Sequence, residues 1–231
     1  MTTKISTDPR IDPRIKAMFG AVELPPSPDV PDRETLLARA NSAEAAAQRA
    51  MIEVFFDKMD SEDVASSKGL TSRWEVLFSK PDGNTIRIHF IRPDNSDAVP
   101  CVYYIHGGGM AFLSAERGFF KAWGRTIAAQ GVAVAMVDFR NCVAPSSVPE
   151  VAPFPGGLND CVSGVKWVHA NAARLGIDPT RIVVAGESGG GNLCLATGLK
   201  LKRDGDIGLV KGLYALCPYI AGEWPAPGCP S

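Results

Sequence analysis

The stretch Ala185-Gly186-Glu187-Ser188-Gly189-Gly190-Gly191 constrains this chain more than any other. It is entered from the apolar run Ile182-Val183-Val184 and left through a helical pattern, so it reads as the turn between a strand and a helix. Gly186-Glu187-Ser188-Gly189-Gly190 fits G-x-S-x-G, in which the serine caps a sharp, strained bend and turns its hydroxyl away from both flanking elements. Glycines two before and two after the serine suit such a bend, because a side chain at either place would collide across it. A helix beginning near Gly190 also aims unpaired backbone N–H groups and a positive dipole end at this region. Taken alone, the pentapeptide is equally compatible with a glycine-rich turn that lets strand and helix pack closely.

A second cluster, His106-Gly107-Gly108-Gly109-Met110, directly follows the apolar run Cys101-Val102-Tyr103-Tyr104-Ile105 and therefore also sits at a strand end. Successive glycines leave backbone N–H groups unshielded, which is what an oxyanion hole needs. The nucleophile elbow calls for this pair of motifs, one N–H from the residue after the serine, here Gly189, and others from an HGGG-type loop. Gly108 and Gly109 are the expected loop donors, with Gly107 next in order if the loop is shifted by one residue. His106 is expected to hold the loop by hydrogen bonding. Glu187, adjacent to the nucleophile in a tight turn, is expected to point away from it in an orienting or structural role.

Asp138-Phe139-Arg140 through Ala144-Pro145, then Phe154-Pro155, Leu158 and Asp160, then Gly176-Ile177-Asp178-Pro179 leading into Gly186-Glu187-Ser188, resembles the hormone-sensitive-lipase-like branch of the α/β-hydrolases. That branch includes many bacterial carboxylesterases. The likeness runs over residues 75–220 and is most specific at the two glycine motifs. It implies an α/β-hydrolase fold, short-chain carboxylic esters as substrates, and N-terminal helices forming part of a cap over the site. Gly189 stands where many relatives carry alanine, and Glu187 where many carry aspartate. The first departure is expected to be harmless because the donor is a backbone N–H. The second keeps a carboxylate in place.

Composition limits the remaining classes. A chain of 231 residues, 45% apolar, can bury a full core as one α/β unit. A formal charge of −1 gives no basic surplus for nucleic acid, and no run of eighteen apolar residues is present to span a bilayer. Met1-Thr2-Thr3-Lys4-Ile5-Ser6 lacks the apolar core of a secretory signal, so a cytoplasmic location is expected. Cysteines at 101, 142, 161, 194, 217 and 229 form no C-x-x-C pair, so neither a metal site nor a redox dithiol is expected, and most thiols read as small buried groups. Neither glycine cluster fits a phosphate-binding pattern, and no cofactor is expected.

In chain order, residues 1–31 are proline-rich and expected to hold at most short helical turns. After Asp32, a plausible N-cap, Leu36, Ala40, Ala43, Ala47, Met51, Val54 and Phe55 recur at helical spacing, giving one amphipathic helix to about Asp60. Residues 1–70 are thus expected to form a cap segment and 71–231 an α/β core. Trp74, Val76 and Phe78, the turn Pro81-Asp82-Gly83-Asn84, and Ile86, Ile88 and Phe90 make a β-hairpin. Apolar runs at 101–105, 132–137, 182–185 and 213–216 alternate with helical stretches at 119–130, 158–174 and 190–203, specifying a mostly parallel sheet covered on both faces. Ligands bind beyond the carboxyl ends of such strands, where both glycine motifs fall. Asp160 is expected to cap a helix start.

The chemistry these motifs point to is acyl transfer from a small-molecule ester through Ser188. A serine hydroxyl needs a histidine held by a carboxylate, and in α/β-hydrolases these follow the serine in the order acid, histidine. No histidine follows Ser188; the acids there are Asp204, Asp206 and Glu223. His89 is expected on the solvent face of the hairpin and His169 on a helix, neither within reach. The chain is therefore expected to lack the C-terminal part of its fold, leaving an unpaired strand edge, with the loop-like tail from Glu223 to Ser231 in keeping with this. A ligand-binding protein that lacks the base, and an amidase or deacetylase with the same machinery, remain as alternatives. Oligomeric state is open, a homodimer included.

Overall fold

A computed structural model describes residues 5–21, 30–95 and 97–220. The prolines at 25, 26 and 28, Cys229 and the tail from Glu223 to Ser231 lie outside the described residues. Contacts divide the chain into two compact units, Met1–Ala38 and Arg39–Ser231.

In the proline-rich lead, α1 (Pro13–Phe19) begins with Pro13 in its first turn, and Asp12 accepts from the Arg14 N–H as its N-cap. The single amphipathic helix expected from Asp32 to about Asp60 is instead two, α2 (Arg33–Ala40) and α3 (Ala43–Asp57). Asp32 does receive the Thr35 N–H, at 2.7 Å. The break comes at Ser42, which adopts an extended backbone and accepts the Ala45 N–H to start a new helix. Restarting changes the buried face. Met51, Val54 and Phe55 are exposed, while Phe56 packs its ring 5.2 Å from that of Phe119.

The sheet then begins with the hairpin of β1 (Leu70–Phe78) and β2 (Thr85–Pro93), followed by β3 (Val99–Ile105), α4 (Gly118–Ala128) and β4 (Ala133–Asp138). After them come α5 (Gly156–Ala170), α6 (Ala172–Leu175), β5 (Ile177–Glu187), α7 (Gly189–Arg203) and β6 (Gly212–Leu216). The strands lie in the order β1-β2-β4-β3-β5-β6; β1 and β2 are antiparallel to their neighbours, and β4, β3, β5 and β6 run parallel. The one helix expected over 158–174 divides at Asn171, whose side chain donates to Trp167 O and ends the first segment. At the end of β1 the inward residues are Leu77 and, just past the strand, Ser79, whereas Val76 and Phe78 stay exposed on an edge strand.

Every residue of β4 is buried, because both faces of the sheet are covered. Ala133, Ala135 and Val137 face a core shared with Val162, Val165 and Val168 of α5 and Leu193 and Leu201 of α7. Val134 and Met136 face the opposite core, with Phe120 and Ala128 of α4. Among the described residues no strand pairs with the outer edge of β6, and Leu213, Tyr214 and Leu216 are exposed there.

Candidate active site

Adjacent parallel strands deliver their carboxyl ends to the same place, and this brings two distant glycine clusters together. Ile105, the last residue of β3, is in register with Gly186 of β5. The 106–110 loop and the 186–190 turn therefore leave the sheet one strand spacing apart. How tightly they then pack is measured by the missing side chains. A Cβ on Gly190 would lie 2.1 Å from Ile105 O and 2.5 Å from His106 O, and one on Gly189 would lie 2.6 Å from Met110 N and 2.7 Å from Gly109 N. Only glycine lets the two backbones meet. Gly189 is thus not interchangeable with the alanine of its relatives, although any N–H it donates needs no side chain.

Ser188 occupies the bend itself, exposed, at φ 51° and ψ −122°. A non-glycine residue in that region is strained and persists only where its surroundings fix it. They do so here: its N–H donates to Leu216 O on β6 at 2.9 Å, and its carbonyl accepts the Asn192 N–H at 3.1 Å. Helix α7 starts at the next residue, leaving its first N–H groups near the serine.

In the loop, Gly108 at φ 105°, Gly109 at φ 63° and Met110 at φ 62° turn the backbone through consecutive left-handed positions. The Gly107 N–H donates to Glu187 Oε1 at 3.2 Å. Among the described residues, no hydrogen bond engages the N–H of Gly108 or Gly109. Glu187 is therefore directed into the loop, away from the hydroxyl beside it, and occupies the donor of Gly107.

His106 is fully buried. Its ring stacks on Phe139 at 4.4 Å, its Nδ1 donates to Gly107 O at 2.8 Å, and its Nε2 lies 3.6 Å from Asp138 Oδ1. His89 is not on a solvent face. Because β4 pairs with β2 on the side away from β1, His89 is interior, stacked on Trp74 at 4.7 Å with Nε2 2.6 Å from Ser72 Oγ. Burial, and then the nearby cations Lys121 and Arg125, push its imidazole down to about 4. His169 is half-buried on α5.

Asp160 does not cap a helix. It is buried and accepts from the Arg140 N–H at 3.0 Å and from Arg140 Nε at 2.9 Å, pinning the segment after β4 to α5. Cys101 and Cys194 are core residues whose thiols burial pushes up to about 12 and about 11, whereas Cys217 is exposed. Among the described residues, no group of three histidine, cysteine, aspartate or glutamate side chains is placed to hold a metal ion, and no helix is long and apolar enough to cross a membrane.

Asp138 enters the sequence reading only within the segment that carries the resemblance, with no role of its own. Its carboxylate closes a wholly buried strand and accepts the Ala115 and Ser147 N–H groups, each at 2.8 Å. The signal was available in the sequence: one acid ending an apolar run at the same end of the sheet as both glycine motifs.

Known proteins share this arrangement of strands. Esterase Est22 superposes with a TM-score of 0.93 and 59% identity over 98% of this chain and 66% of its own. Brefeldin A esterase, a bacterial homologue of human hormone-sensitive lipase, gives a TM-score of 0.78 and 33% identity, covering 95% of this chain and 60% of its own. Carboxylesterase NlhH of Mycobacterium tuberculosis is 40% identical over 108 residues, 47% of this chain but 31% of that protein. The chain thus spans less than a third of NlhH and about two thirds of Est22. A family profile for the alpha/beta hydrolase fold matches residues 102–227, more than half of the sequence, from within β3 through both glycine motifs. The chain belongs to the α/β-hydrolase family, on its hormone-sensitive-lipase-like branch.

Proposed function

We propose that this chain carries the nucleophile and oxyanion donors of a carboxylic ester hydrolase for short-chain esters. The observation that carries the reading is an exposed serine at a strained φ of 51°, whose following glycine leaves no room for a Cβ against Gly109 and Met110. Strain at a polar side chain beside unpartnered N–H groups suits a nucleophile better than a packing turn. The names of the relatives point the same way: NlhH is a carboxylesterase, and Est22 is an esterase solved also with p-nitrophenol and as an S188A mutant.

In this mechanism Ser188 Oγ gives its proton to a base and attacks the ester carbonyl carbon. The carbonyl oxygen takes up the negative charge and accepts from the N–H groups of Gly108, Gly109 and Gly189. Collapse releases the alcohol, with the proton returned to it, and leaves an acyl-serine that water hydrolyses by the same steps. Gly107 is set aside as a donor because Glu187 already occupies its N–H. The base must be a histidine oriented by a carboxylate. His106 is sealed below the loop, His89 lies in the hairpin and His169 on α5, so among the described residues no histidine held by an acid is brought to Ser188, and the reading requires one. Residues 1–70 are assigned to a cap and 71–231 to the core; within that cap α3 is tied to the core through Asp57, which accepts the Gly118 N–H at the start of α4.

The test is hydrolysis of a short p-nitrophenyl ester by the protein as its gene encodes it, beside its Ser188→Ala variant. Turnover should disappear in the variant; turnover close to wild type would remove Ser188 from the mechanism.

A further inference from the structure

The elbow has a neighbour on each side. In the strand order β5 lies between β3 and β6, so the 106–110 loop falls to one side of Ser188 and the residues that follow β6 fall to the other. We infer that Asn192 is a positioning residue that fixes this second side, the segment 217–219, as a wall receiving the apolar part of an ester. The role toward substrate rests on the ester-hydrolase reading above, whereas the hydrogen-bonded clip that Asn192 makes does not.

The clip begins at the elbow. Leu216, the last residue of β6, is in register with Glu187, so the chain leaving β6 passes beside Ser188, whose N–H donates to Leu216 O at 2.9 Å. Four residues along α7, one helical turn from the serine, the side chain of Asn192 engages both backbone groups of Tyr219. Its Oδ1 accepts the Tyr219 N–H at 2.7 Å, and its Nδ2 donates to Tyr219 O. A primary amide offers a donor and an acceptor at once, which a carboxylate does not. Gly191 makes the room, since a Cβ there would lie 2.9 Å from Leu216 O and 3.4 Å from Pro218 Cβ. The G-x-S-x-G pattern does not call for this glycine; the close passage of 216–218 does.

What the clip holds is open and largely apolar. Between the two anchors Cys217 is exposed at φ 42°, a left-handed value that a residue other than glycine keeps only where its surroundings fix it. Tyr219 is 55% exposed and Ile220 75%. Such side chains, left exposed at the carboxyl end of the sheet next to an exposed serine, suit the hydrocarbon of an ester, while the loop on the other side offers bare N–H groups to its carbonyl. Asn192 acts through the segment and not on the reacting atoms. Ser188 keeps its own bond to Leu216 without it, so substrate binding should depend on Asn192 and the chemical step should not.

The test joins amide hydrogen exchange with ester kinetics on the gene-encoded protein and its Asn192→Ala variant. In the wild type the Tyr219 amide should be protected although its residue is exposed, and in the variant that protection should fall about tenfold, the worth of one hydrogen bond. An amide that exchanges freely in the wild type overturns the clip. With p-nitrophenyl esters the variant should show KM raised about tenfold and kcat within a factor of about two. A fall in kcat at constant KM overturns the wall, because it would mean that Asn192 serves the elbow alone. A second probe needs no folded Asn192 variant: methyl and benzyl methanethiosulfonate attach a small and a large group to Cys217. KM should rise more with the larger group, recover on treatment with dithiothreitol, and show no response to either reagent in Cys217→Ser. Turnover indifferent to both labels overturns the wall. A wild type that hydrolyses no ester removes the esterase reading instead, and the Tyr219 amide still decides the clip.

Discussion

Two bends leave the sheet side by side, after β3 and after β5, and they solve the same problem differently. The 106–110 loop reverses through Gly108 and Gly109, which adopt positive φ at no steric cost. The elbow after β5 is just as sharp and is flanked by Gly186, Gly189 and Gly190, yet the residue forced to φ 51° is Ser188. Glycine there would make the turn without strain. The loop is built to expose backbone, and the elbow to expose one hydroxyl at a cost of order 1–3 kcal/mol. A turn serving only to pack strand against helix would have no use for that cost.

Each half of this contrast can be broken separately. Ser188→Ala keeps the bend but removes the hydroxyl, and should reduce ester turnover on the order of 10⁶-fold, read by release of p-nitrophenol. Gly108→Ala should cost on the order of 10²–10³-fold in kcat, because its Cβ would meet Phe112 O at 2.2 Å and φ 105° disfavours a side chain, so the loop must move off its donors. Gly189→Ala should cost on the order of 10–10²-fold in kcat, since a Cβ 2.6 Å from Met110 N and 2.7 Å from Gly109 N forces the elbow and the loop apart. Kinetics indistinguishable from wild type would show that the loop and the elbow are not closely matched. Ser188→Gly, inactive like the alanine variant, should raise unfolding stability by about 1 kcal/mol in a denaturant titration. An unchanged or lowered midpoint would mean that the serine is not strained and that the two bends do not differ as described.

The parts of the molecule legible in the sequence were those governed by local backbone geometry. Glycine spacing at 107–109 and 186–190 located both bends, and apolar runs located the parallel strands, because a strand buried on both faces has no polar alternation to blur it. What failed depended on which elements become neighbours. His89 reads as a surface residue of a hairpin until β4 is known to pair beyond β2. Asp160 looks like a cap until Arg140 arrives from the end of β4. Asp138 shows in the sequence as an acid ending an apolar run, but its neighbour His106 is fixed only by the pairing of β3 with β4. The break between α2 and α3 was local and visible in principle, since Ser42 with Glu44 following it reads as a fresh helix start, but the spacing of apolar residues across it concealed the interruption.

The most direct test of the elbow as a nucleophile's mount is fluorophosphonate labelling of the gene-encoded protein followed by peptide mapping. Covalent modification should fall on Ser188 alone and vanish in Ser188→Ala. A folded protein that takes up no label, or takes it up at another serine, would contradict the account.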